Sequence, residues 1–117
     1  MRNDFNADIL RGMDKESKML NISKMKENDT LTVSLEGRLD TNTAPELETE
    51  LKSVIEGIGE LVLDLEKLEY ISSAGLRVFL SAQKIMAKQG QMRVTHVNNV
   101  IREIFEVTGF SDILTIE

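Results

Sequence analysis

The sequence predicts an α/β domain: a small mixed β-sheet of four to five strands with three or more helices packed against it, in the order β-β-α-β-α-β-α-β. Three observations carry this expectation. Apolar residues alternate at period two around Leu31–Leu35 and recur at helical spacing in three later stretches. Helical stretches separate the later strands, which calls for crossover connections and a sheet covered by helices. The 117 residues, 41% apolar and 29% charged, suit one domain with one core.

Residues 1–18 stand apart, with four acids and four bases among scattered apolar side chains. They read as an N-terminal extension that is native, a short helix around Asp8–Met13, or a remnant of expression. The regular pattern begins near Met19, so 19–117 is taken as the domain. Leu20, Ile22 and Met25 suggest a first strand and Glu27-Asn28-Asp29 a turn. Leu31, Val33 and Leu35 alternate with Thr32, Ser34 and Glu36, the period of a half-buried strand that Gly37 then breaks. The pair reads as a hairpin.

Thr43-Ala-Pro-Glu46 fits a capping box with Pro45 in the first turn. Leu47, Leu51, Val54, Ile55 and Ile58 then recur at helical spacing, and Gly57 and Gly59 end the helix. Leu61–Leu65 is almost wholly apolar, as a central strand is. A second helix runs from about Ala74 to Gln89 with a polar stripe of Arg77, Ser81, Lys84 and Lys88 and a wide apolar arc that includes Ile85. Gly90 reads as its C-terminal cap. Met92, Val94 and either His96 or Val97 read as the next strand, and Asn98 or Asn99 caps a third helix, Val100–Thr108. Val100, Ile101, Ile104 and Phe105 share one face of it, and Gly109 closes it. Ile113–Ile116 is a last strand or extended tail.

Composition excludes much chemistry. With no Cys there is no disulfide, thiolate nucleophile or Cys-based metal site, and one His cannot supply a histidine pair. A net charge of −6 disfavours the phosphate backbone of nucleic acid. The charge is divided: Glu36–Glu69 holds ten acids and three bases, whereas Arg77–Arg102 holds five bases and no acid. Two solvated faces or a dipolar surface that orients a partner both fit. There is no apolar run long enough for a transmembrane helix and no signal-peptide pattern, so a cytoplasmic protein without membrane insertion is expected.

Known catalytic patterns fail. Gly57-Ile-Gly59-Glu-Leu-Val62 precedes a strand where a dinucleotide fingerprint must follow one, and its third position is Val62. No phosphate loop and no GxSxG elbow is present. His96 reads as a packed or surface residue, and the carboxylates of the first helix as its solvated side. The expectation is a non-enzyme without a metal or cofactor of its own.

One motif remains. Ser72-Ser73-Ala74-Gly75-Leu76 stands at a strand-to-helix junction, where Ser is a preferred N-cap. With Asp64-Leu65, Leu68, Tyr70-Ile71 before it and Gly37-Arg-Leu39-Asp40 upstream, it resembles the STAS family, anti-sigma factor antagonist type. The resemblance covers roughly Leu20–Glu117 and includes the Gly90-x-Met-x-Val strand start and Ile104-Phe-Glu-Val-Thr-Gly109. It implies that Ser73 is the phosphoacceptor for an anti-sigma factor that is also a serine kinase. The family usually has Asp where this chain has Ser72, so Ser72 is the second, less favoured acceptor. It further implies a partner-binding set of Asp40, Ser72, Ser73, Gly75 and Leu76, with Arg77 nearby.

The implied function is a phospho-switch. Unphosphorylated, the chain binds the kinase and frees its client; phosphorylated, it releases the kinase; a PP2C-type phosphatase resets it. ATP belongs to the kinase. A phosphate adds a charge of about −1.5 to −2 that the positive end of a helix tolerates. In an interface near Asp40 the same charge repels, and about 3–4 kcal/mol is a few hundredfold in affinity. The alternatives are a structural or accessory STAS subunit of a transporter or signalling complex, and a small enzyme or ligand-binding domain using the junction as an anion pocket. A monomer or weak dimer is expected.

Overall fold

The computed structural model describes residues 19–117. Seven regular elements follow in the order β-β-α-β-α-β-α, then a 3-10 turn at Phe110–Asp112. The strands are β1 (Leu20–Glu27), β2 (Thr30–Leu39), β3 (Glu60–Ile71) and β4 (Gln91–Thr95); the helices are α1 (Ala44–Val54), α2 (Ser73–Gln89) and α3 (Asn99–Thr108). They make one four-stranded sheet in the spatial order β1-β2-β3-β4. The β1–β2 pair is an antiparallel hairpin closed by Glu27 opposite Thr30, and the two remaining pairings are parallel. The final segment adds a single bridge, Ile116 to Val94, in place of a fifth strand. The readings of residues 1–18, including the helix at Asp8–Met13, lie outside the described residues.

The parallel crossovers β2-α1-β3 and β3-α2-β4 step in the same direction, and with the right-handed connection that such units adopt this sets both helices on one face of the sheet. Leu31, Val33, Leu35, Leu61, Leu63, Met92 and Val94 point there and are buried against Leu47, Leu51, Phe79, Ala82 and Met86. Thr32, Ser34, Asp64 and Arg93 face the other way and are half-exposed.

Several local expectations are corrected. Gly37 does not break its strand: β2 continues to Leu39, and Gly37 sits at φ +109 where a Cβ would be driven into the Met19 carbonyl. β3 runs six residues past Leu65, to Ile71, because it carries bulges that shift its register against β2. β4 ends at Thr95, so His96 lies beyond the strand, exposed and at φ +58. Ile85 and Val100, assigned to buried arcs, are exposed. Thr43 makes no side-chain cap bond to α1, so the capping box does not form. The Asn98 side chain does cap α3, accepting from Ile101 N–H at 2.9 Å, and Gly109 closes that helix at φ +83.

Gly90 is extended, at φ 179, so its conformation is open to any residue. The requirement for glycine there is one of space, since a Cβ would be driven into the backbone carbonyl of Gly59, where β3 and β4 begin side by side. That carbonyl cannot move without losing the bond it accepts from Gln91 N–H at 3.1 Å. Gly90→Ala is expected to destabilise the domain by about 1–3 kcal/mol, read as a lower urea midpoint at unchanged slope.

Candidate functional site

The site lies where β2 and β3 end together. Leu39 pairs with Ile71, and the Leu39 carbonyl accepts the Ser72 N–H at 2.8 Å. That bond ties the end of one strand to the start of α2. Ser72 is the N-cap, with extended backbone at φ −97 and ψ 176; its hydroxyl oxygen accepts from Gly75 N–H at 3.4 Å, and its carbonyl takes the Leu76 N–H at 2.9 Å. Ser73 is the first helical residue and is exposed. The two neighbouring hydroxyls are therefore unequal: one is turned into the cap, the other faces solvent.

Gly75 and Leu76 are buried, so they offer a partner no surface. Gly75 sets the height of the helix: a Cβ there would lie 2.7 Å from Leu39 Cγ and 2.9 Å from Ile71 Cγ1. Leu76 belongs to the core at 4% exposure. The exposed part of the expected set is Ser73 and Arg77, flanked by half-buried Asp40 and Ser72. Arg77 shares a shallow cleft with Thr41, Pro45 and Glu48 between α1 and α2.

Asp40 begins the turn into α1 and supplies what the capping box does not. Its Oδ1 accepts from Asn42 N–H at 3.0 Å and Thr43 N–H at 3.2 Å. Thr43 is the buried polar residue of the core; its hydroxyl donates to the Arg38 carbonyl at 2.9 Å and accepts from Asp40 N–H at 2.9 Å. Partial desolvation works to raise the Asp40 pKa, but the Thr43 and Asn42 amides, the Thr43 hydroxyl and the Arg38 guanidinium outweigh it and hold the carboxyl below its ordinary value. The fold thus favours the ionised form. The stability this contributes is complete above the ordinary carboxylate range and is lost as pH falls towards the lowered value. Thr43→Val keeps the shape but leaves two partly buried backbone groups, the Arg38 carbonyl and the Asp40 N–H, without their partner. It is expected to cost about 1–3 kcal/mol in urea unfolding.

Sequence reasoning missed three groupings. Arg38 lies over the Tyr70 ring, its Cζ 4.5 Å from the centroid, with Nε 3.8 Å from Asp40 Oδ2. Arg93 bridges Glu60 and Glu117, which depresses the Glu60 carboxyl. His96 Nδ1 stands 3.0 Å from Asp64 Oδ1, with Glu66 beside them on the helix-free face. Asp64 Oδ1 also takes the Glu66 N–H at 3.1 Å, so this exposed cluster is held together by its own members. Each joins residues distant in sequence, and although Arg38, Asp40, Asp64 and Tyr70 lie in the motif segments, nothing in those segments pointed to these pairings.

A family model described as Mlab, STAS domain, matches residues 22–115. A Bordetella bronchiseptica protein, BtrV, whose name places it among the anti-sigma factor antagonists, is 38% identical over 93 residues, covering 78% of this chain and 80% of its own. The anti-sigma-B factor antagonist of Bacillus subtilis is 32% identical over 94 residues, covering 80% and 85%. Among solved structures, an anti-sigma factor antagonist from Mycobacterium paratuberculosis superposes with TM-score 0.76 at 23% identity, covering 83% and 84%. The unphosphorylated form of the antagonist SpoIIAA superposes with TM-score 0.70 at 17% identity, covering 84% and 87%. These two structures match the architecture. Among the described residues, no helix is long and apolar enough to cross a membrane.

Proposed function

The chain belongs to the STAS domain family, and on that premise we propose that it is an anti-sigma factor antagonist switched by phosphorylation of Ser73. Unphosphorylated, it binds an anti-sigma factor with serine kinase activity and so frees the client that factor holds. The kinase transfers the γ-phosphoryl group of its ATP to Ser73 Oγ; the hydroxyl proton passes to a base of the kinase, and ADP leaves. The phosphorylated chain then dissociates. A PP2C-type phosphatase hydrolyses the phosphoester and restores the hydroxyl.

The observation that carries this reading is the inequality of the two serines. Ser73 presents an exposed hydroxyl at the first position of α2, next to the Ser72 whose N–H bonds the Leu39 carbonyl; Asp40, held ionised, follows Leu39, and Ser72 is occupied as the cap. A phosphate on Ser73 would meet the positive end of α2, which has no acid in its first turn, so the isolated domain tolerates it. A partner docked over Asp40 and Ser73 would have to desolvate the added charge next to an existing one. The switch therefore works on binding and leaves packing in place. Incubation with the cognate kinase and ATP, followed by mass mapping, should add one phosphate at Ser73. No gain on Ser73 or Ser72 would remove the switch and leave an accessory binding subunit.

A further inference from the structure

The helix-free side of β2 and β3 converges on Arg38. The residues that β3 gives to the core cluster are Leu61, Leu63 and Leu65, then Leu68 and Ile71, so their spacing changes from two to three. The ladder records the same change: Gly37 pairs with Leu68, but Arg38 pairs with Tyr70, passing over Glu69. An unbroken register would have set Arg38 opposite the Glu69 carboxylate. The bulge sets it opposite an aromatic ring and keeps Leu39 and Ile71 in the core.

The guanidinium is thereby placed but not consumed. The cation–π contact with Tyr70 holds it over the ring without using its N–H groups. Its one carboxylate neighbour among the described residues, Asp40 Oδ2, is 3.8 Å away, too far for a hydrogen bond, and Asp40 Oδ1 is committed to its own turn. The Arg38 side chain is 47% exposed. Among the described residues none of its five donors makes a hydrogen bond to a side chain or carbonyl. An exposed arginine held on a ring, with no hydrogen-bond partner among the described residues, has the character of an interface hot spot, because part of its ordering cost is met before binding.

We infer that Arg38, held on Tyr70, is a recognition residue that takes a carboxylate side chain of the anti-sigma factor in a forked ion pair. This rests on the function proposed above and names the partner chemistry at that site. Arg38 directly precedes Leu39, whose carbonyl bonds Ser72 N–H, so Arg38 and Ser73 flank one hydrogen bond at the same end of the sheet. Two arguments select a carboxylate. The planar fork matches its two oxygens. The sign also agrees with the switch: a phosphate on Ser73 repels a carboxylate arriving at Arg38, whereas it would attract a basic group and tighten the complex it is meant to dissolve.

The test is calorimetric titration of the purified, nucleotide-free anti-sigma factor with Arg38→Ala, Arg38→Lys, Tyr70→Leu and Tyr70→Phe variants, at two salt concentrations. Arg38→Ala should weaken binding roughly 10–100-fold and flatten its salt dependence. Arg38→Lys should recover only part, since an ammonium cannot fork. Tyr70→Phe should keep wild-type affinity and Tyr70→Leu should lose roughly 3–10-fold. Urea midpoints of the Arg38 variants should fall only slightly, through loss of the Tyr70 contact and of the charge beside Asp40, far less than the loss in binding, which separates recognition from folding. Arg38→Ala binding within twofold of wild type overturns the inference, as does full recovery by Arg38→Lys. If the wild-type chain itself binds no anti-sigma factor, the functional reading falls in that arm alone, and this inference with it.

Discussion

Phosphorylation of Ser73 is expected to weaken binding to the anti-sigma factor by a few hundredfold, about 3–4 kcal/mol, while leaving the urea midpoint of the free domain within error or slightly raised. The two halves of this result come from one geometry. In the free domain the phosphate would stand in solvent at the first turn of α2, where negative charge is worth about 0.3–1 kcal/mol in favour of the fold. In the complex it is pressed against a partner next to Asp40, whose carboxyl the turn keeps ionised. Ser73→Glu places one charge where the phosphate has nearly two, so it should reproduce part of the loss, at least tenfold. Ser73→Ala should bind like the unphosphorylated chain and stay bound when ATP is added. Titration calorimetry of the three forms, with urea unfolding beside it, reads both halves. A Ser73→Glu protein that binds as tightly as wild type would sink the electrostatic account. One that loses both binding and stability would show that the position is structural.

The sequence discloses the order of elements because hydrophobic period and punctuation agree over most of the chain. Leu31, Val33 and Leu35 alternate, α2 shows a clean stripe from Arg77 to Lys88, and Asn98 and Gly109 bracket α3 as their chemistry demands. Bulged regions are harder to read. β3 keeps Leu65, Leu68 and Ile71 inside by skipping a residue twice, which erases the alternation and makes the strand look as though it ends at Leu65. Gly37 reads as a stop when it is the position that lets β2 pass closely by Met19 and continue to Leu39. Ser73 and Asp40 could be found from motif context. Their support could not, because Thr43 bonds back across five residues to Arg38, and Arg38 meets Tyr70 only after the register has shifted. Ser72 is readable as a cap, and the structure has its hydroxyl oxygen accepting from Gly75 N–H.

Phe79→Ala is the substitution expected to damage the fold most, by about 3–5 kcal/mol. Phe79 is wholly buried on the inner side of α2, two turns from Ser73, and its ring meets Phe105 of α3 at a centroid separation of 6.4 Å and a tilt of 52°. The contact joins the two helices that flank β4, so truncation removes an aromatic pair as well as apolar area and opens a void that backbone elements on three sides cannot fill. For a domain whose total stability is about 5–15 kcal/mol, that loss leaves a measurable unfolded fraction at low denaturant, so the urea curve should shift down by more than about 1 M. Phe79→Leu, which keeps most of the volume, should lose far less. The comparison with Ser73 is the decisive part. Nothing at Phe79 touches the partner surface, so the folded fraction of Phe79→Leu should bind the anti-sigma factor with wild-type affinity and be phosphorylated at the wild-type rate. A change in intrinsic affinity in that variant would mean that core packing sets the pose of α2. The switch would then be conformational and not a matter of charge at a fixed surface.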